Sequence, residues 1–284
     1  MRIDAHHHLW DLERRPQPWL TGAELDPIAR TFRLAELLPL LDAHGIDATV
    51  LVQSSSSLDE TRELLALARD SGGRVAGVVG WADLTSPELP GTLGALAALG
   101  PLVGIRHQVQ DEADPGWLAR ADVRSGLAAV GAAGLVYDLL VTVDQLPAAI
   151  DTVRALPEVR FVLDHGAKPP VGGGGWEPWA ASMTELSALP NVSCKLSGLV
   201  TEADWHRWCV ADVLPYARRL LAAFGPDRLL FGSDWPVCTL AADYSSVVAL
   251  AEAALSPLTP AARDAVLGRN AVRLYALNLP PSGP

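Results

Sequence analysis

Residues 4–11 read DAHHHLWD. A purification tag does not explain them: the histidines follow Ile3-Asp4-Ala5 and run directly into Leu-Trp-Asp, whereas a tag precedes a native start. They sit at the end of a short apolar segment that begins with Ile3. In a strand, alternate residues share a face. His6 and His8 are therefore expected to point one way together, and His7 the other way.

Working outward, short apolar runs recur at 2–4, 48–53, 75–81, 102–106, 135–139, 160–163, 192–195 and 229–231. Most are nearly continuous, as expected for parallel strands covered on both faces. Amphipathic stretches lie between them, at 32–44, 57–70, 119–132, 143–155, 176–189, 204–223 and 244–254. Ser57 and Glu60 have capping-box spacing. A last helix over 260–275 starts from Thr259-Pro260, a cap followed by proline at the first helical position.

About eight strand–helix units in strict alternation predict a parallel sheet closed into a (β/α)8 TIM barrel. An open doubly wound sheet is the alternative, weakened because no GxGxxG follows the first strand. The chain has 284 residues, close to the 250 or so of one such barrel. Residues 1–284 are read as a single domain.

Composition narrows the function. Hydrophobic residues make up 49% and charged residues 19%, so a large core is available and disorder is not expected. A net charge of −11 repels phosphates and argues against nucleic acid as a partner. No long uncharged apolar stretch predicts a membrane span, and no signal peptide is apparent. The expected location is cytoplasmic, and a homo-oligomer is compatible with the sequence. Cys194, Cys209 and Cys238 are odd in number and widely spaced, and suggest neither a disulfide framework nor a zinc ribbon.

The polar clusters share one place in each unit. Strand C-terminal ends run into His6, His7 and His8; Gln53; Arg106, His107 and Gln108; Tyr137 and Asp138; Asp164 to Pro169; Lys195 and Ser197; and Gly232 to Pro236. In a barrel these ends ring one mouth, where active sites are found. Asp234 on that rim could activate water and return the proton. His165 could polarise a carbonyl or position the water. His6 and His8 suit zinc or manganese together with His165 and Asp234. The rival reading is a metal-free hydrogen-bonding role for the same imidazoles. Arg106 and His107 could bind a polar ligand, with an ion pair to a rim carboxylate such as Asp83 as the structural alternative. Tyr137 could donate into the mouth or pack in the core. Trp10 and Trp235 are expected as pocket walls for sugar C–H faces. Lys168, a further substrate-binding candidate, and Lys195 are both weaker than these. His7 is expected to be structural, and the cysteines inert.

The motifs DAHHHLWD, GIRHQ, DHGAKP, GSDWPV and LGRNAVRLY together resemble the amidohydrolase superfamily. Within it they are most similar to the amidohydrolase-2 branch, which contains sugar-acid lactonases and the pyrone-dicarboxylate lactonase. The resemblance spans residues 4–275. It implies that His6 and His8 are the first-strand pair, His165 the sixth-strand histidine and Asp234 the eighth-strand, water-activating aspartate. It also places Arg106, His107 and Tyr137 where lactonases of this branch contact substrate. Binuclear members carry a bridging lysine or glutamate near strand four or five, and Arg106-His107 and Tyr137-Asp138 stand there instead. A two-metal site is therefore not expected. The implied activity is hydrolysis of a sugar-derived lactone of the fucono-, rhamnono- or galactonolactone class, with one divalent metal or none. A metal-dependent decarboxylase of the same branch and a catalytically silent binding barrel are the alternatives.

Overall fold

The computed structural model describes residues 1–279. Eight strands, β1 (Ile3–His7), β2 (Ala48–Val52), β3 (Val75–Gly80), β4 (Leu102–His107), β5 (Val136–Leu139), β6 (Arg160–Leu163), β7 (Val192–Leu196) and β8 (Leu229–Phe231), alternate with eight helices. The helices are α1 (Leu34–Ala43), α2 (Leu58–Asp70), α3 (Leu89–Ala97), α4 (Ala121–Ala132), α5 (Leu146–Ala155), α6 (Trp179–Ser187), α7 (Val210–Phe224) and α8 (Tyr244–Leu255). The strands pair in parallel in the order β1 to β8. The ring closes where His7 bridges Trp235, with His8 N–H donating to the Trp235 carbonyl at 2.7 Å and Asp234 N–H to the His6 carbonyl at 2.8 Å. The (β/α)8 TIM barrel expected from the alternation is thus the fold.

Strand period sorts the core into two layers. Side chains such as Ile3, Val50, Val136, Val162 and Leu230 fill the barrel interior and meet Tyr275 and Leu277. The intervening residues, among them Leu51, Ile105, Leu139, Phe161 and Phe231, face the helix layer.

Helix boundaries differ from the sequence reading where local capping overrides periodicity. Ser57 accepts from Glu60 N–H at 3.2 Å, but the Glu60 carboxylate turns away to Ser54 and Ser55, so the box is half formed. Asp204 closes a turn by accepting from His206 N–H. The helix expected from there starts only at α7, where Asp212 accepts from Cys209 N–H at 2.8 Å. The terminal helix begins as expected at Pro260 with Thr259 as its cap. It is interrupted by a wide turn over Ala265–Arg269, where Gly268 passes the Met1 backbone too closely for a Cβ. Helix α3 was not expected; its GTLGAL core is too rich in glycine to read as helical.

Candidate active site

The one-residue register slip between Asp4 and His7 against β2 ends β1 with His6 and His8 on the inner side and His7 on the outer side. His6 and His8 bring their Nε2 atoms to 3.1 Å. His7 is buried and bonds the Thr49 hydroxyl through Nε2 at 2.8 Å, the structural position expected of it. Gly232 permits this crowding, because a Cβ there would stand 2.7 Å from the His6 Cβ.

Asp234 follows β8 in a left-handed conformation with φ 59°. Its Oδ1 lies 3.4 Å from His8 Nε2, 3.7 Å from His6 Nε2 and 3.9 Å from His165 Nε2. His165, Gly166, Ala167 and Lys168 all have positive φ, between 51° and 60°. Three of these are not glycine, a strained run of the kind that accumulates at functional sites. It turns His165 and Lys168 into the mouth. His165 Nδ1 is held by the Ser197 hydroxyl at 2.8 Å, and Gly198 next to it is left-handed and has no room for a Cβ beside the His165 ring. The four residues His6, His8, His165 and Asp234, expected together from the sequence, are together in the structure.

Burial opposes ionisation of Asp234, but His165, His8 and Lys168 outweigh it and hold the carboxyl below its ordinary value. Burial lowers His165 to about 4 and His7 to about 3. Burial also holds His6 well below its ordinary value, so near neutral pH the Asp234 carboxylate stands beside neutral His6 and His165 rings. Burial raises the Cys194 and Cys238 thiols, which leaves them protonated and unreactive.

These shifts set the acid stability. An unfolded histidine takes up its proton near pH 6.5, whereas His165 and His7 refuse it in the fold until about pH 4 and 3. Their contribution is complete above pH 6.5 and is lost as pH falls from there, by up to ~1.4 kcal/mol per unit for each group. The thermal midpoint of chelator-treated protein should drop steadily between pH 6.5 and 4.5. A flat profile over that range would contradict the buried, neutral state of these rings.

Arg106 ends inside the barrel with both terminal nitrogens bonded, while its buried Nε has no partner. It donates to Asp164 Oδ2 at 3.0 Å, to the Gln53 carbonyl and to Gln53 Oε1 at 3.2 Å. Its partner is Asp164, not Asp83, which caps Thr85. Asp164 is shared with Lys195 Nζ at 3.0 Å. Burial would raise its carboxyl, but Lys195, His6 and Arg106 hold it well below the ordinary range. Lys195 also reaches Asp138 Oδ2 at 2.5 Å, and Tyr275 donates to the same carboxylate from below.

Above this buried network opens a cavity of about 140 Å³. His8, His165 and Asp234 form its floor, and Trp19, Lys168 and Gln110 belong to its walls. Several expectations need correction here. Tyr137 does not reach the mouth: it is fully buried in the helix layer with its ring edge-on to Phe161. His107 also points outward, stacked on Trp117 at 4.4 Å and bonded to Glu112 and Trp81. Trp10 and Trp235 stand behind the wall, each packed against Phe32. The tryptophan that faces the cavity is Trp19, in the loop between β1 and α1. Its indole N–H donates to Gln17 Oε1 at 3.1 Å, and Gln17 is fixed in turn by Glu60 at 3.3 Å.

The donor set also suits a divalent ion. Ligand bonds of 2.0–2.1 Å in a tetrahedral zinc site put neighbouring donor atoms about 3.3 Å apart. The His6, His8 and Asp234 atoms are separated by 3.1, 3.4 and 3.7 Å. His8 Nδ1 is turned to the Val52 carbonyl at 2.8 Å, the outer bond that leaves Nε2 free as a ligand.

A parallel barrel whose mouth carries an HxH pair, a sixth-strand histidine and an eighth-strand aspartate is the architecture of a hydrolase of the amidohydrolase type. The amidohydrolase family profile matches residues 3–277, and the chain belongs to this family. An L-fucono-1,5-lactonase from Burkholderia multivorans is 43% identical over 99% of this chain and 97% of its own length. A Burkholderia ambifaria protein of the same name is 42% identical over 98% of this chain and 97% of its own length. The crystal structure of a Burkholderia multivorans amidohydrolase with bound zinc superposes with a TM-score of 0.90 at 42% identity, covering 98% of this chain and 100% of that one. Among the described residues no helix is long and apolar enough to cross a membrane.

Proposed function

We propose that this enzyme hydrolyses a sugar-derived lactone, an aldonolactone of the L-fucono-1,5-lactone kind, with Asp234 as the base that activates water. The observation that carries the reading is the ionised, buried Asp234 carboxylate on the cavity floor, with three imidazoles within 4 Å of Oδ1. The near full-length identity to two fuconolactonases supports the choice of substrate.

Each group has a task set by its position. Asp234 accepts a proton from water as the water oxygen bonds to the lactone carbonyl carbon. The His165 Nε2–H and the Lys168 ammonium face the oxygen on which negative charge develops. When the tetrahedral intermediate collapses, the ring C–O bond breaks, and protonated Asp234 returns its proton to the departing alkoxide. The products are the open-chain acid and a carboxylate-ready site. Trp19 offers an apolar face to ring C–H groups and excludes water. A divalent ion held by His6, His8 and Asp234, with His165 alongside, would polarise the carbonyl and acidify a water.

The decarboxylase alternative is less well supported. It needs an arginine free to grip a substrate carboxylate, and Arg106 is committed to Asp164 and Gln53. The test is acid release from a panel of aldonolactones, followed by pH indicator, on chelator-treated protein and after return of zinc or manganese. Hydrolysis of L-fucono-1,5-lactone is expected. Silence toward every lactone under both conditions would sink the proposal and bring the decarboxylase forward.

A further inference from the structure

The two nitrogens of His6 face different neighbours. Nδ1 has Lys195 Nζ at 3.0 Å and Asp164 Oδ1 at 3.3 Å. Nε2 has His8 Nε2 at 3.1 Å and Arg106 Nη1 at 3.4 Å. A neutral imidazole carries one proton, and its position decides which of these contacts are hydrogen bonds.

An ammonium can only donate. If Lys195 donates to Nδ1, the His6 proton is on Nε2, from which it bonds His8. His8 can accept it because its own proton, on Nδ1, is given to Val52. Asp164 Oδ1 then has Lys195 Nζ as an ion-pair partner at 3.0 Å. In the other tautomer the proton is on Nδ1, 3.3 Å from Asp164 Oδ1, and Nε2 is open to Arg106 Nη1, a donor held farther off than Lys195, at 3.4 Å. Both Nε2 lone pairs then face Asp234. Only the second tautomer can ligate an ion through His6 Nε2, and it places a carboxylate behind the ligand in the usual outer-shell manner. Lys195 has no exposure and touches neither the cavity nor Asp234, so its effect on the site passes through the residues it contacts, His6 directly and Asp164 beside it.

We propose that Lys195 is a positioning residue that holds His6 in its Nε2–H tautomer and thereby weakens metal binding at the mouth. Ion capture then requires the His6 proton to be carried on Nδ1, facing Asp164, with Lys195 left bonded to Asp138. This inference rests on the proposed reading of His6, His8 and Asp234 as ligands. It would make the enzyme's dependence on metal a property of a residue beneath the site rather than of the ligand set.

Two measurements test it. The first uses the unmodified protein with ¹⁵N-labelled histidine. NMR should show His6 protonated at Nε2 after chelation and at Nδ1 after zinc is added. An Nδ1–H tautomer in the chelated protein overturns the proposal. The second is zinc titration by calorimetry. Lys195→Met alone would strand the buried Asp138 carboxylate, so it is combined with Asp138→Asn, which keeps the Tyr275 hydroxyl as a partner. The double variant should bind zinc about tenfold more tightly than the parent, the lower end of outer-shell effects on metal sites. Equal or weaker affinity overturns this inference alone. Failure of both proteins to bind zinc overturns the metal reading and the inference with it.

Discussion

Asp234→Asn should lower kcat for lactone hydrolysis by about 10³-fold, within the range that a positioned base contributes. The amide keeps the size of the carboxylate but cannot take a proton from water. Asp234's backbone N–H bond to His6 does not involve the side chain, so the fold should survive and the melting temperature should stay near that of the parent. Lactone affinity should change little, since Trp19, Lys168 and Gln110 remain in the cavity wall. The loss should therefore fall on kcat rather than KM. The control is Asp164→Asn, one shell deeper, which removes half of a buried ion pair and should cost stability first. If Asp234→Asn keeps more than a tenth of the parent rate, with or without zinc, another group activates the water.

How much of this was legible in the sequence follows from strand period. The barrel, the inward pairing of His6 and His8, and the roles offered for His165 and Asp234 come from alternation and from where polar residues cluster along each unit. Tyr137 and His107 were misplaced although the same rule covers them. Arg106 and Asp138 are paired across β4 and β5 and both point inward, so their neighbours His107 and Tyr137 must face the helices. Reading the rim as clusters, rather than as every second residue, admitted both. Trp19 is different. It lies in a proline-flanked loop whose path is set by the Gln17–Glu60 contact, a bond across 43 residues that no local pattern announces. Lys195 was visible as a rim residue, but its role depends on Asp138, Asp164 and His6 arriving from three other strands.

Arg106→Leu should destabilise the protein by about 3–5 kcal/mol, the usual cost of removing one partner of a buried ion pair. The leucine leaves Asp164 with Lys195 as its one remaining cation, beside His6, and strands the Gln53 carbonyl and Oε1, which now accept from the guanidinium. Thermal or urea unfolding at pH 7 measures the loss. Lys should rescue little of it, because one ammonium cannot reach Asp164 and Gln53 from the two ends of a planar fork. The result also separates two readings of Arg106. A substrate-binding arginine would raise KM and leave stability nearly intact, since an exposed charge contributes little to folding. A structural one would lower the unfolding midpoint, with the catalytic defect following from displaced His6, to which Nη1 stands at 3.4 Å. Its 3% exposure and its commitments to Asp164 and Gln53 favour the second. The cation then serves the reaction indirectly: with Lys195 it keeps Asp164 ionised, 3.3 Å from His6 Nδ1.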